Sequence, residues 1–172
     1  GGGAFLSNGG LLVDSLVVSN KGARDGGGAY ISGSGVIERC TVFGNDITPV
    51  YGTDGGVCNL GGIVRDSRFE KNYGGGAYCG YSSYYQSTGR IENCVFISNQ
   101  KHGLGGGVAI SEGIVENCLI ISNSANGGGG LAFYLGGHAN NCTIVGNIAL
   151  NLGGGIYLWD SGETIFNSII YD

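Results

Sequence analysis

The chain has 172 residues, the usual length of one domain, and 38 of them are glycine. Eight basic and thirteen acidic residues give a net charge of −5, which excludes a protein that binds nucleic acid or an anionic membrane through a basic surface. Because 42% of the residues are hydrophobic and only one is proline, the glycine content does not indicate disorder.

The sequence is a tandem repeat of seven units of about 25 residues, each beginning with a glycine tract. One column of small residues recurs at intervals of 24 to 27 residues, at Ser15, Cys40, Ser67, Cys94, Cys118, Cys142 and Ser168. Five residues after each of the first six stands an asparagine, at Asn20, Asn45, Asn72, Asn99, Asn123 and Asn147. Repeats of this length are single supersecondary units that bury their apolar faces by stacking on one another.

The unit from Gly105 to Asn123 predicts its elements in chain order. A first strand at 108–110 is followed by a short loop, a second strand at 114–116 and a third strand at 118–122. One polar residue, Asn117, separates the last two strands. The equivalent positions are Asp14, Arg39, Asp66, Asn93, Asn141 and Asn167. Asn and Asp adopt the left-handed backbone conformation most readily, so this column predicts a sharp corner, for which Arg39 is poorly suited.

Each of the three strands carries an apolar column, and this predicts a three-sided parallel β-solenoid whose coils stack at about 4.8 Å. We therefore expect an all-β fold, a single β-helix domain of about seven coils over residues 1–172. Stacked identical asparagines form hydrogen-bonded ladders. We expect one ladder along Asn20 to Asn147 and a second at the corner, formed by Asn93, Asn117, Asn141 and Asn167. Since the chain starts at Gly1 and lacks methionine, we expect an excised or processed segment of a longer chain or filament subunit.

The repeat resembles a known architecture. Two glycines followed by a small or β-branched residue occur in Gly27-Gly28-Ala29-Tyr30, Gly75-Gly76-Ala77-Tyr78 and Gly106-Gly107-Val108-Ala109. An FxxN pattern occurs in Phe69-Glu70-Lys71-Asn72 and Phe96-Ile97-Ser98-Asn99. The chain is similar over its whole length to the right-handed parallel β-helix of the pectin-lyase-like superfamily. More narrowly, it resembles the GGA[ILV] and FxxN repeats of polymorphic outer membrane proteins and related bacterial surface proteins. That superfamily includes lyases, hydrolases, tailspikes and adhesins, so the resemblance implies a fold and no single function.

Catalytic members of this superfamily place clustered Asp, Lys, Arg or His side chains on the first strand and its loops. Here the outward positions of the first strand are uncharged, namely Phe5, Tyr30, Cys58, Tyr78, Ala109, Ala132 and Tyr157. Asp160 and Glu163 form an isolated acidic pair, and His102 and His138 fall in different coils. We therefore expect no catalysis and no cofactor. The alternative is a carbohydrate-active β-helix of lyase or hydrolase type.

Aromatic residues form a candidate ligand-binding surface. The fourth coil contains a six-residue insertion, so that Tyr78, Tyr81, Tyr84 and Tyr85 lie close in sequence, and Tyr134, Tyr157 and Trp159 follow on later coils. Such rings can stack on sugars or on a protein partner, which predicts a glycan or host-surface ligand. The alternative is that they only shield a glycine-rich surface.

The six cysteines predict mainly buried thiols. Cys40, Cys94, Cys118 and Cys142 share their column with serine, which indicates a small inward side chain, although neighbours in this column could form a disulfide. Cys58 and Cys79 lie outside the column at nearly matching positions of adjacent coils, so they are the preferred candidates for a disulfide. No Cys/His spacing typical of zinc occurs, and we expect no metal.

The third strand presents outward columns that are mostly apolar outside the third coil. These residues are Leu16, Val18, Phe43, Val95, Ile97, Leu119, Ile121, Val145, Ile169 and Tyr171. A contiguous apolar surface of this kind is typical of an interface, so we expect self-association, side by side or end to end, or contact with the rest of a longer parent chain. We expect a structural or adhesive protein outside the cell or on its surface, with no nucleic-acid partner and no transmembrane segment in this piece.

Overall fold

A computed structural model describes residues 1–47 and 54–171. In this part the chain winds through three parallel β-sheets, and each turn contributes one strand to each sheet. We number the sheets in the order in which the chain visits them within a turn. Seven strands stack along each sheet, so the chain completes about six turns between the first strand of a sheet and the seventh, slightly fewer than the seven coils predicted. The predicted all-β parallel solenoid is confirmed.

The strands of the three sheets are short and regular. The first sheet contains Ala4–Ser7, Ala29–Ser32, Val57–Leu60, Ala77–Ser82, Val108–Ser111, Leu131–Leu135 and Ile156–Leu158. The second contains Leu11–Val13, Val36–Glu38, Ile63–Arg65, Arg90–Glu92, Ile114–Glu116, Gly137–Asn140 and Glu163–Phe166. The third contains Leu16–Val18, Thr41–Phe43, Arg68–Glu70, Val95–Ile97, Leu119–Ile121, Thr143–Val145 and Ile169–Tyr171. Lys21–Gly22 pairs with Asp46–Ile47, Ser124–Gly127 pairs with Ile148–Leu152, and Ser87–Thr88 pairs with the end of Ala77–Ser82.

The core is a set of columns in which equivalent side chains stack from turn to turn. Phe69 lies opposite Phe96 in the third sheet, and both side chains are completely buried. Their rings stack with centroids 4.7 Å apart and planes 15° apart. Each fully buried side chain of this size stabilises the fold by roughly 1.5–3 kcal/mol. Because the strands pair in register, every turn covers the apolar surface of the turn before it.

Two left-handed positions shape the turns on either side of the third sheet. The predicted corner before it is present: Asn117 has a φ of 55°, and Arg39 adopts the same conformation with a φ of 50°. The guanidinium of Arg39 also donates to Asp14 across the turn, from Nε to Oδ1 at 2.7 Å. A second left-handed column, which the sequence pattern did not predict, directly precedes the inner asparagines. Its members are Ser19, Gly44, Lys71, Ser98, Ser122 and Gly146.

The inner asparagines form a continuous ladder from Asn20 to Asn147, which is buried from Asn45 onward. The Nδ2 group of Asn99 donates to Oδ1 of Asn123 at 2.9 Å and to the Phe69 carbonyl at 3.1 Å. Its Oδ1 accepts from the backbone N–H and from Nδ2 of Asn72, at 3.0 and 2.9 Å. Asn45, Asn72 and Asn123 repeat this arrangement. The ladder therefore satisfies amides that have no access to water.

The corner asparagines form a weaker ladder in contact with solvent. Asn117 donates to Asn93 at 3.2 Å and Asn141 donates to Asn117 at 2.8 Å. Asn93 donates to Asp66, whereas Asn167 departs from the column and donates to Asn140. Because these side chains are exposed, their hydrogen bonds compete with water and contribute less than those of the inner ladder.

The glycine tracts precede the first sheet, where the backbones of successive turns pass very close to one another. A Cβ atom at Gly107 would lie 2.6 Å from the Gly130 carbonyl oxygen and 2.7 Å from Cγ2 of Ile120. Any larger residue would therefore push two turns apart. This close approach explains why the repeat needs glycine at this place.

The predicted disulfide between Cys58 and Cys79 is wrong, because all six cysteines are thiols. Pairing in the first sheet places Cys58 opposite Tyr78 and Cys79 opposite Asn59. The two cysteines are therefore offset by one residue, and successive residues of a strand point to opposite faces of the sheet. Cys79 lies in the core and is completely buried, which raises the pKa of its thiol to about 12.

Candidate functional site

The outer face of the first sheet carries a stacked aromatic pair beside a groove. Phe5 and Tyr30 lie opposite each other on adjacent strands, with ring centroids 5.5 Å apart and planes 11° apart. The groove has a volume of about 570 Å³, and its lining includes both rings together with Lys21, Arg24 and Asp25 of the loop between the two turns. An apolar floor with charged groups around it can hold a ligand that has both an apolar face and hydroxyl groups.

The insertion of the fourth coil adds two further rings next to this pair. Its hairpin exposes Tyr84, whose side chain is 86% accessible and whose ring meets Tyr85 edge-on at 4.8 Å. Tyr85 covers Gly33, where a Cβ atom would lie 3.0 Å from the ring. Gly33 directly follows the strand that carries Tyr30, and Tyr85 also contributes to raising the pKa of Tyr30, after burial and the nearby Cys58 and Asp25. We call Phe5, Tyr30, Tyr84 and Tyr85 the aromatic line.

The other predicted aromatic residues are separate from this line. Tyr157 and Trp159 form their own edge-on contact, with ring centroids 5.8 Å apart. Five strand spacings, about 24 Å, separate the strand of Tyr157 from that of Tyr30. Tyr81 is partly exposed at 38%. The structure therefore separates Tyr157 and Trp159 from the aromatic line, and it adds to the line Phe5 and Tyr30, which the sequence pattern placed only at outward positions.

Tyr78 and Tyr134 border a buried ion pair. Nζ of Lys101 donates to Oδ1 of Asp54 at 2.9 Å, and the Tyr134 hydroxyl donates to the Leu104 carbonyl at 3.4 Å. Burial is the main cause that raises the pKa of both tyrosines, and the charge of Asp54 adds to it. These two tyrosines therefore belong to the packing around the ion pair, not to the aromatic line.

The ion pair joins the loops of the third and fifth turns across the fourth. Gly75 makes room for it, since a Cβ atom there would lie 2.7 Å from Oδ1 of Asp54. Burial raises the pKa of Asp54 from 3.8 to about 6, although the charge of Lys101 opposes this shift. Burial lowers the pKa of Lys101, but Asp54 and Tyr134 raise it by more, so Lys101 stays charged. The partners are 47 residues apart in sequence, and no motif predicted that they would meet.

The outer faces of the second and third sheets differ in charge. The second sheet carries ion pairs at 2.7 Å between Arg65 and Glu38 and between Arg90 and both Glu92 and Glu116. On the third sheet, the outward side chains are apolar or threonine except for Arg68 and Glu70 in the third turn. Every residue predicted for the assembly surface lies on this face and points outward: Leu16, Val18, Phe43, Val95, Ile97, Leu119, Ile121, Val145, Ile169 and Tyr171.

Three sheets of in-register strands joined by left-handed corners define a parallel β-helix. The chain matches the family described as the right handed beta helix region over residues 2–170, so it belongs to that family. A search of the curated proteins and a search of the solved structures gave no match.

Two further properties concern residues 1–47 and 54–171 only. This part of the chain has no helix of the length and hydrophobicity needed to cross a bilayer. Nor does it contain a group of three or more His, Cys, Asp or Glu side chains placed to hold a metal ion.

Proposed function

We propose that this chain is a non-catalytic structural and adhesive segment of a secreted or cell-surface protein, and that it binds a glycan along the aromatic line. The observation that carries the proposal is the stacked pair of Phe5 and Tyr30 beside the groove, continued by the exposed ring of Tyr84.

The chemistry of the groove suits a sugar. Phe5 is 64% exposed and presents an apolar ring to the C–H face of a pyranose, while Lys21, Arg24 and Asp25 can hydrogen-bond its hydroxyl groups. The rings sit on strands and on a short hairpin of a rigid solenoid, so little conformational entropy is lost when a ligand binds. Among the described residues, the buried carboxylate of Asp54 is already paired with Lys101, which supports binding without catalysis.

A glycan array, followed by calorimetry with the strongest ligand, tests this function. We expect Phe5→Ala and Tyr84→Ala each to weaken binding about fivefold, because an aromatic stacking contact contributes about 1 kcal/mol. Trp159→Ala is the matched control, since this ring is as exposed as Phe5 but does not belong to the aromatic line. It should leave the affinity unchanged.

Two results would contradict the proposal. Equal losses in all three variants would show that the aromatic line does not define the site. Shortened oligosaccharides, detected by mass spectrometry after incubation with the wild-type protein, would favour the alternative of a carbohydrate-active β-helix.

A further inference from the structure

The only charged residues on the outward columns of the third sheet are a pair in one strand, within the part of the chain that the structure describes. Arg68 and Glu70 are two residues apart on Arg68–Glu70 and therefore point to the same side. Arg68 donates to Oε2 of Glu70 from Nε at 3.0 Å and from Nη2 at 2.9 Å. Their side chains are 45% and 22% exposed, so both remain accessible from outside the molecule.

The other turns present apolar side chains at the same two positions, except for a threonine at the first position of the second and sixth turns, Thr41 and Thr143. Leu119 and Ile121, for example, occupy them two turns later, in register with Arg68 and Glu70 through the intervening strand. The second sheet of the same molecule carries several ion pairs on its outer face. The corner residue Lys71 also reaches this face, with its Nζ 3.7 Å from Oε1 of Glu70 and 5.6 Å from the centroid of the Phe43 ring. Charge is thus spread along the second sheet and confined to the third turn of the third sheet, and an apolar face of this extent is typical of a surface that another protein covers.

We propose that a second copy of this chain covers the third sheet, with the two solenoids side by side and related by a two-fold axis parallel to the stacking direction. Such an axis turns the strands antiparallel across the interface and sets each turn opposite the same turn of the partner. Leu119 then faces Ile121 of the partner subunit, and the same exchange occurs in the other apolar turns. In the third turn, Arg68 faces Glu70 of the partner subunit, and Glu70 faces Arg68 of the partner subunit.

Charge selects this arrangement over the alternatives. A slip by one turn would place Arg68 and Glu70 against apolar side chains and bury them without a new partner, which is costly. A two-fold axis along the strands would place Arg68 opposite Arg68 of the partner subunit. Only the axis along the stack makes the third turn self-complementary, as an isologous interface requires.

Sedimentation equilibrium of the 17.5 kDa chain over a concentration series measures this association. We expect a dimer for the wild type and a dissociation constant raised at least about tenfold by Ile121→Lys, which places a charge in the apolar interface. Ile114→Lys is the matched control, because Ile114 is a half-buried outward residue of the same turn on the second sheet, and it should leave the dimer intact. Circular dichroism verifies that both variants are folded.

Charge reversal tests the pairing itself. Arg68→Glu and Glu70→Arg should each dissociate the dimer, since each makes the third turn repel its own copy. A mixture of the two variants should form heterodimers, detected by native mass spectrometry, because acidic and basic turns then face each other. A monomeric wild type at every concentration, equal effects of Ile114→Lys and Ile121→Lys, or the absence of heterodimers in the mixture would overturn the proposal.

Discussion

Removal of one amide from the inner ladder gives a quantitative test of how the solenoid is held together. Asn99→Ala deletes four hydrogen bonds, two donated by Nδ2 and two accepted by Oδ1. It leaves the backbone N–H of Asn72 without its partner in a site that water does not reach. At about 1 kcal/mol for each bond in net terms, the free energy of unfolding should fall by about 4 kcal/mol.

Urea unfolding followed by circular dichroism measures this change, provided that the slopes of the two transitions agree. Asn117→Gly is the matched control, because it removes an exposed corner amide and glycine keeps the φ of 55° without strain. We expect it to cost less than about 1 kcal/mol. If Asn99→Ala were no more destabilising than Asn117→Gly, the inner ladder would not be the main polar constraint on the stack.

Three more predictions concern the ion pair, the glycine tracts and the thiols. Burial raises the pKa of Asp54 from 3.8 to about 6, so carbon-detected NMR should show its carboxyl group titrating near pH 6, and a midpoint near 4 would contradict this. The protonated carboxyl group should contribute its full stabilisation below pH 3.8. The free energy of unfolding should then fall by about 3 kcal/mol as the pH rises through 6. Gly107→Ala should lower the free energy of unfolding by more than about 2 kcal/mol in thermal unfolding. Gly103→Ala is the control and should have little effect, because the added Cβ would approach only the flexible Lys101 side chain, at 3.7 Å. Equal effects of the two variants would show that the close approach of the backbones does not require glycine. A thiol reagent should react with six cysteines in the unfolded chain and with almost none in the folded chain, where burial protects residues such as Cys79. Fewer than six reactive cysteines after unfolding would reveal a disulfide.

The sequence was sufficient for the features that repeat. Asn45, Asn72 and Asn99 occupy the same position in successive units. Because successive coils stack on one another, residues at the same position of the repeat come into contact in space. The same reasoning identified the corner at Asn117 and the outward direction of Ile121, because the strand period and the left-handed preference of asparagine are local properties. The family match is consistent with this, since it covers residues 2–170.

The tertiary structure alone decided the features that occur once. Cys58 and Cys79 appeared to match by counting, but an offset of one residue in the pairing sends their side chains to opposite faces. Lys101 meets Asp54 across an intervening turn, and the inserted Tyr85 reaches back over Gly33, so neither contact follows from the repeat period. Local sequence specifies the conformation of one turn and its stacking on the next. In contrast, the position of a side chain that reaches past a neighbouring turn depends on the path of its loop, and these loops vary in length. The physical reason is that a periodic pattern determines contacts between equivalent residues only, and every other contact depends on the three-dimensional course of the chain.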